Sequence, residues 1–310
     1  MPYFLSIAIP TYNRDSCIVS CLESIFTQEW YSDEEIQIVI SDNASTDNTT
    51  SVIGEFQKEH HNITYYRNET NLWYDRNLHN AITKSTGIYC WFLSDDEELV
   101  PGTLTYLLNT LKTNPEAAYL CMNVSWNTVK NLPDKEIILE NNGEDVIRKY
   151  GVVGGLISQN IIKKEFYPND ASKHFWSLWI HLLVIYEIIK SRPLILINKE
   201  LILWQAWWDV RWKNEWKVLL VFTGLKNVFI TIRDGLGYNK DIMNKMISKF
   251  IFTLPSVIVS AKLQGYIFNK KAYMLLFKEY HTYPISLLFS LPISLVPKFI
   301  LNSIKKVLWK

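Results

Sequence analysis

Two adjacent carboxylates, Asp95 and Asp96, arrive at the end of the apolar run Tyr89-Cys-Trp-Phe-Leu-Ser, and Glu97 and Glu98 follow directly. Like charges packed this closely need compensation. In a phosphate-handling site a hard divalent cation, Mg²⁺ or Mn²⁺, supplies it by bridging carboxylates to a diphosphate. The same run also reads as a solvated turn capping the next helix. The company it keeps separates these readings, because two other apolar runs end in Pro10-Thr-Tyr-Asn and Ser41-Asp-Asn.

These turns need a scaffold that brings them together. Phe4–Ile9 reads as a strand, Cys17–Phe26 as a helix, Ile36–Ile40 as a buried strand and Thr46–Lys58 as a helix capped through Ser45. Ile63–Tyr66, Arg76–Thr83, Tyr89–Leu93, Leu104–Leu111 and Ala118–Met122 continue the alternation. The pattern predicts an α/β fold with a mixed, mostly parallel sheet, and ligands of such sheets sit beyond the carboxyl ends of the strands. All three polar turns fall at such ends. No Gly-x-Gly-x-x-Gly follows the first strand and no Gly-Lys-Ser/Thr loop is present, so neither a dinucleotide fingerprint nor a P-loop is supported. Beyond about residue 125 the periodicity weakens, until Phe175–Lys190 reads as a long amphipathic helix.

Over its 310 residues the chain has a net charge of only +1, but this hides an asymmetry: residues 1–150 carry 10 Lys and Arg against 22 Asp and Glu, and residues 151–310 carry 22 against 9. A basic second half is expected to face something anionic, a lipid surface or phosphates. The cysteines, Cys17, Cys21, Cys90 and Cys121, lack paired metal-ligand spacing and read as buried free thiols. With the unleadered start Met-Pro-Tyr-Phe-Leu, this suggests a cytoplasmic setting. Trp204, Trp207, Trp208, Trp212 and Trp216 crowd into one stretch, as core packing, as a stacking surface for sugar rings or as an interfacial belt. Tyr283–Trp309 is free of acidic residues and contains the apolar run Ile285–Pro297, interrupted with its flank by Pro284, Pro292 and Pro297 and followed by Lys298, Lys305, Lys306 and Lys310. It is too broken to span a bilayer and suits a helix lying on an anionic one, with a basic cap on the core as the alternative.

Leu5-Ser-Ile-Ala-Ile-Pro-Thr-Tyr-Asn-Arg14, Ile38-Val-Ile-Ser-Asp-Asn-Ala-Ser-Thr-Asp-Asn-Thr49, Asn71-Leu72 with Arg76-Asn77, and Trp91-Phe-Leu-Ser-Asp-Asp96 together resemble, in order and spacing, the inverting family 2 glycosyltransferases of the GT-A fold. The resemblance covers about the first 125 residues. It implies a GT-A, Rossmann-like catalytic domain over residues 1–205, followed by a helical Trp- and Lys-rich region over 206–310 that binds the acceptor and the membrane. Residue by residue it implies a nucleotide site lined by Pro10, Thr11, Tyr12 and Arg14, with Asp42 accepting from the base, as a carboxylate does from a uracil imide, and Asn71 and Arg76 nearby. A surface ion pair of Arg76 with Asp75 or Glu69 is the plainer alternative. Asp95 and Asp96 occupy the place of the family's Asp-x-Asp metal motif, but Ser94 stands where many members have the first Asp. The assignment is therefore Asp96 to Mn²⁺ or Mg²⁺, Asp95 to the ribose and Glu97 to the outer shell.

A divalent ion would neutralise the diphosphate leaving group, and inversion would need a general base on the acceptor hydroxyl. The family supplies that base from a Glu-Asp pair at a helix start, which is absent here. His181 leads as the substitute, with Asp170 as a second choice and His174 also in the stretch; a buried core histidine is the plainer reading of His181. Trp208, Arg211 and Trp212 are expected to bind the acceptor, through stacking and a bidentate phosphate contact. The expected activity is transfer of one sugar from a nucleotide sugar, a UDP-sugar favoured, to a glycan acceptor, lipid-linked, at the inner membrane face. No nucleic-acid partner is expected. The rivals are a catalytically inactive nucleotide- or carbohydrate-binding module and a nucleotidyltransferase.

Overall fold

Leu5–Thr11 (β1) and Ile36–Asp42 (β2) are almost entirely buried along their length, which is the burial expected of strands covered on both faces. A computed structural model describes residues 2–29, 31–123, 132–204, 217–264, 269–296 and 301. The chain divides into two compact units, residues 1–206 and 207–310.

In the first unit β1 and β2 are followed by Ile63–Arg67 (β3), Tyr89–Phe92 (β4), Glu97–Leu99 (β5), Tyr119–Asn123 (β6), Ile137–Glu140 (β7), Asn160–Lys163 (β8), Leu194–Glu200 (β9) and Ile202–Trp204 (β10). Between them lie Asp15–Phe26 (α1), Thr49–Glu59 (α2), Trp73–Lys84 (α3), Thr103–Thr113 (α4), Gly143–Tyr150 (α5) and Ile180–Ile188 (α6). The main sheet has eight strands in the order β3-β2-β1-β4-β8-β6-β9-β7, and β5 pairs with β10 in a separate ribbon. The strands from β3 to β4 are parallel, β8 runs antiparallel between β4 and β6, β6 and β9 are parallel, and β7 is antiparallel at the edge. The α/β class and the mixed, mostly parallel sheet match the expectation.

Register places the polar turns. Thr11 pairs with Asp42, and Ala8 with Phe92, so the β1–β4 register carried three residues further brings Thr11 level with Asp95. Helix α3 packs on β1 and β2, and α1 packs against β5. The core beneath is aliphatic, with Ile7, Ile9, Ile38, Ile40, Leu104 and Trp91 all buried. All four cysteines are buried free thiols, as expected.

The structure corrects three elements. The helix expected from Thr46 begins at Thr49, because Ser45 accepts from the Asn13 amide instead of capping it. The helix expected over Phe175–Lys190 is confined to Ile180–Ile188, since Trp176 and Leu178 have left-handed backbones (φ 71° and 63°). The acidic run does begin as a turn, at Asp95 and Asp96, but it leads into the short strand β5 at Glu97 and not directly into the next helix. Strand β8 had no readable pattern; it is seated by Asn160, whose Oδ1 accepts from the Tyr119 hydroxyl (2.6 Å) and whose Nδ2 donates to the Gly154 and Ile157 carbonyls (3.1 and 2.9 Å).

The second unit contains Lys217–Asp234 (α7), Lys240–Ile251 (α8), Leu254–Gln264 (α9), Lys270–Tyr280 (α10) and Pro284–Leu295 (α11). Phe222 stacks on Phe250, with centroids 4.1 Å apart, and buried Lys226 donates to Glu279 Oε2 (2.9 Å). Among the described residues, Lys240–Leu263 is long and apolar enough to cross a membrane by length and composition. Trp208, Arg211, Trp212 and the lysines after Pro297 lie outside the described residues.

The start of β4 leaves no room for a side chain at Gly87, whose added Cβ would meet the Ser6 nitrogen at 2.6 Å and the Leu5 carbonyl carbon at 2.9 Å. Gly87→Ala is expected to cost about 1–3 kcal/mol of stability, the scale of overpacking against backbone, read from urea unfolding.

Candidate functional site at the carboxyl edge of the sheet

The turn after β1 is laced to the turn after β2. Asn13, in the left-handed region (φ 52°), donates its amide to Ser45 Oγ (2.9 Å) and accepts from the Thr46 amide at Oδ1 (2.7 Å). The Arg14 amide donates to Thr49 Oγ1 (3.1 Å) and the Asp15 amide to Asp47 Oδ2 (3.2 Å). Asp47 also accepts from the Thr49 amide and hydroxyl, so it holds two turns at once. This lacing positions Arg14 while leaving the Tyr12 ring 40% exposed at the rim beside Pro10 and Thr11.

Asp42 is fully buried, and both its oxygens are engaged by the protein. Oδ1 accepts from the Ser45 amide (2.9 Å), and Oδ2 accepts from the Tyr65 hydroxyl (2.7 Å) with Arg67 Nε at 3.7 Å. Asparagines fill the neighbouring space. Asn77 accepts from Ser41 (2.8 Å) and Asn68 (2.9 Å) and donates to the Thr11 carbonyl (3.3 Å). Asn43 donates to Asn71 Oδ1 (2.8 Å) and accepts from the Leu72 amide (2.7 Å), which ties the start of α3 to the end of β2.

Beyond β4 stand the carboxylates. Arg14 Nη1 lies 3.6 Å from Asp96 Oδ2, and the Ser94 hydroxyl donates to Asp96 Oδ1 (2.6 Å). Ser94 therefore orients Asp96 where an aspartate would have added a charge. Asp95 is buried and interacts with Thr11; burial first, and then the charge of Asp96, raise its pKa against the opposing charge of Arg14. Burial likewise drives Glu97 up to about 7, with the Asp96 and Asp95 charges adding to it and a hydrogen bond from Ser158 opposing. Burial works against the Arg14 charge, but the two aspartates outweigh it and raise its pKa.

This donor set suits a hard divalent cation: it is all oxygen, it is overloaded with negative charge, and Glu97 Oε2 is buried without a hydrogen-bond partner. Among the described residues no three His, Cys, Asp or Glu side chains converge to hold a metal by themselves. A cation here needs further oxygens from a bound molecule.

The expected base lies in a different setting. His181 is 4% exposed; its Nδ1 is 3.1 Å from the Tyr74 hydroxyl and its Nε2 is 3.2 Å from the Gly155 carbonyl. A carbonyl only accepts, so Nε2 carries the proton and Nδ1 accepts from Tyr74. Both nitrogens are thus taken by the protein. His174 is also buried and pairs with Glu187 (2.9 Å). Asp170 is exposed, with the Ser172 hydroxyl donating to it (2.6 Å) and lowering its pKa. Arg76 makes no ion pair with Asp75 or Glu69 among the described residues; its guanidinium lies over the Phe175 and Trp176 rings.

A path of contacts links His181 and Tyr74 to the carboxylate segment. The Ser94 amide donates to Ser158 Oγ (2.8 Å), Ser158 follows the Gly155 turn, Gly155 meets His181, and His181 meets Tyr74 on α3. Beside Tyr74, Asp75 accepts from the Leu178 amide (2.9 Å) and the Ile180 amide (3.2 Å), and so holds the segment before α6. Burial raises the Asp75 pKa against these backbone bonds. Sequence reasoning missed Tyr74, Asp75, Ser158 and Trp176. Asp75 had a signal, as it sits inside the Asn71–Asn77 motif; Ser158 and Trp176 had none.

Burial depresses the His181 pKa from 6.5 to about 4. Between those values the unfolded imidazole takes up a proton that the folded one resists, so stability falls as pH drops from 6.5 toward 4 and is unaffected by this group above 6.5. The wild type is expected to lose about 3 kcal/mol across that window relative to His181→Gln, measured as urea midpoints at pH 7, 5.5 and 4.

The model of the family described as "Glycosyl transferase family 2" matches residues 6–166, just over half of the chain. An abequosyltransferase of Salmonella typhimurium is 38% identical over 118 residues, which is 38% of this chain and 35% of that protein. A Campylobacter jejuni protein named "GalNAc(5)-diNAcBac-PP-undecaprenol beta-1,3-glucosyltransferase" is 28% identical over 197 residues, 57% of this chain and 59% of its own. The chain thus spans about a third to three-fifths of these curated relatives. The structure of S. aureus TarS 1–349 in complex with UDP-GlcNAc aligns with a TM-score of 0.61 over 98% of this chain and 92% of that one, at 12% identity. A mannosyltransferase of Pyrobaculum calidifontis in complex with GDP-Man and Mn²⁺ aligns at 0.56 over 100% and 90%, at 16% identity. These likenesses show the fold, GT-A. The family match over residues 6–166, on a sheet whose carboxyl edge gathers Arg14, Asp95 and Asp96, makes this chain a member of glycosyl transferase family 2.

Proposed function

We propose that the chain transfers one sugar, with inversion, from a nucleoside diphosphate sugar to a hydroxyl of a lipid-linked glycan in surface polysaccharide or glycoconjugate synthesis. One observation carries the reading: Asp95 and Asp96 meet Arg14 beyond the ends of the neighbouring parallel strands β4 and β1, with buried Glu97 directly after them, a charge pattern suited to a diphosphate and its cation. Asp96 would hold Mn²⁺ or Mg²⁺, with Glu97 behind it. Bound there with the diphosphate, the ion supplies neutralisation of the charge that develops on the leaving group. Arg14 adds a fixed positive charge on the same side. Asp95 would meet the ribose, and Pro10, Thr11 and Tyr12 would line the nucleoside.

A UDP-sugar is favoured, supported by the UDP-GlcNAc complex of TarS. Asp42, committed to Ser45 and Tyr65, would act on the base only by exchanging one of those bonds, and Asn71 sits next to it through Asn43. For the base, Asp170 offers an accessible carboxylate, whereas His181 would have to release Tyr74 or Gly155 to accept a proton. The acceptor reading draws support from the Campylobacter relative, whose name specifies an undecaprenol diphosphate glycan.

Trp208, Arg211 and Trp212 would bind the acceptor from the region 206–310. That region would rest on an anionic membrane at the inner face, since exposed Phe252, Phe277, Ile285 and Leu295 stand with exposed Lys249, Lys271 and Lys278.

A panel of UDP-, GDP-, CDP- and dTDP-sugars assayed for Mn²⁺-dependent hydrolysis tests the core of this reading. Asp96→Ala should lower turnover roughly 10²–10³-fold, the scale of one lost charge-stabilising group. Turnover of no donor, with Mn²⁺ or Mg²⁺, would leave a binding module instead. Asp170→Asn should slow transfer far more than His181→Gln; the reverse order would return the base to His181.

A further inference from the structure

Two consecutive side chains of α3 hold one distant loop in different ways. Asp75 is buried and accepts from the Leu178 amide (2.9 Å) and the Ile180 amide (3.2 Å). Its neighbour Arg76 is exposed and lays its guanidinium over two rings of the same loop, 5.2 Å from the Phe175 centroid and 5.4 Å from that of Trp176. Both lie inside the reach of a cation–π contact, about 6 Å.

The loop does not take this shape by local preference. Trp176 and Leu178 have left-handed backbones, φ 71° and 63°, a conformation that is an outlier for bulky side chains and persists only where the surroundings enforce it. The two Asp75 bonds supply that enforcement. Packing does not require the indole here either, since Trp176 is 68% exposed although burial is the ordinary use of tryptophan. What the turn does accomplish is to bring an aromatic face against an arginine. The second ring, Phe175, is steadied by the His79 ring, which meets it edge-on at 5.3 Å, and His79 Nδ1 in turn lies 2.8 Å from the Tyr167 hydroxyl.

Arg76 gains a fixed orientation from this seat. Among the described residues it has no hydrogen-bond or ion-pair partner, and an exposed arginine without one samples many rotamers. Stacked on the rings, its plane is set while its N–H fork stays open for bidentate pairing with an oxyanion. The next residue, Asn77, is tied to Ser41 and to the Thr11 carbonyl, which anchors this part of α3 at the carboxyl edge of the sheet.

We propose that Asp75, Phe175 and Trp176 are positioning residues of the nucleotide site: Asp75 holds the loop, and the loop's two rings hold the Arg76 guanidinium in the orientation that meets the donor's diphosphate. This rests on the transferase reading above and on the place of Arg76 in the Asn71–Asn77 stretch. None of the three touches the ligand. Their effect passes through Arg76.

A double-mutant cycle tests this, read as nucleotide binding to the full chain by calorimetry with Mn²⁺ present and no turnover. The probe is whichever of UDP, GDP, CDP and dTDP binds tightest. Arg76→Gln should weaken it roughly tenfold, the scale of a lost charge-assisted hydrogen bond. Trp176→Leu should weaken it about three- to fivefold, the scale of one cation–π contact, whereas Trp176→Phe keeps a ring and should stay within about twofold. Asp75→Asn should behave like Trp176→Leu. In the Arg76→Gln background neither Trp176→Leu nor Asp75→Asn should weaken binding further, because the interaction through which they act is already gone.

The proposal is overturned if none of the four diphosphates binds, or if Trp176→Leu or Asp75→Asn binds the probe like the wild type. It is equally overturned if their effects are undiminished in the Arg76→Gln background, as a merely structural role requires, or if Trp176→Phe loses as much as Trp176→Leu. The predicted coupling without hydrolysis of any nucleotide sugar would sink the transferase reading and leave the positioning role standing; hydrolysis without the coupling would do the opposite.

Discussion

Consecutive carboxylates at the end of a buried strand are the constraint on which the rest of this site depends. Asp95 and Glu97 are 7% and 4% exposed, and a charge so placed costs several kcal/mol unless something opposes it. The protein opposes it by raising the pKa of both groups and by setting Arg14 against Asp96. Arg14 reaches that point only because Asn13 turns the chain through a left-handed conformation and the β2 turn receives its amides. Negative charge remains in excess at this edge, while among the described residues no three His, Cys, Asp or Glu side chains converge there.

Neutral polar groups do the surrounding work. Asn43, Asn68, Asn71 and Asn77 join the ends of β1 and β2 to the segment before α3 without adding charge beside the carboxylates. Asp42 is the exception, and its neighbours Tyr65, Ser45 and Arg67 keep it satisfied. A buried network of this kind is rigid when its members are bonded, which gives this edge of the sheet a defined shape.

His181 shows how position can override residue type. Imidazole has the right chemistry for a base near neutrality, yet here it is a neutral strut that joins the Gly155 turn to Tyr74. Through Ser158 that strut is continuous with the Ser94 amide, and through Tyr74 with Asp75 and the loop carrying Trp176. The carboxylate segment and the loop carrying Trp176 are thereby joined through one frame, although they lie on different segments.

Much of the fold was legible because apolar runs of strand length alternate with amphipathic helices through residue 123, and each run ends in a polar turn. The charged motif Ser94-Asp95-Asp96 was legible for the same reason. Strand β8 was not, since four residues anchored by a buried asparagine carry no period, and the helix over 175–190 was overextended because its apolar content hid two left-handed residues. By itself the sequence determined which side chains reach the carboxyl edge, since strand period and length set that locally. Only the tertiary structure decided which of them keep a free lone pair or N–H. The Tyr74 bond to His181 spans 107 residues and the Asp75 bond to Leu178 spans 103, and no local pattern encodes contacts at that separation.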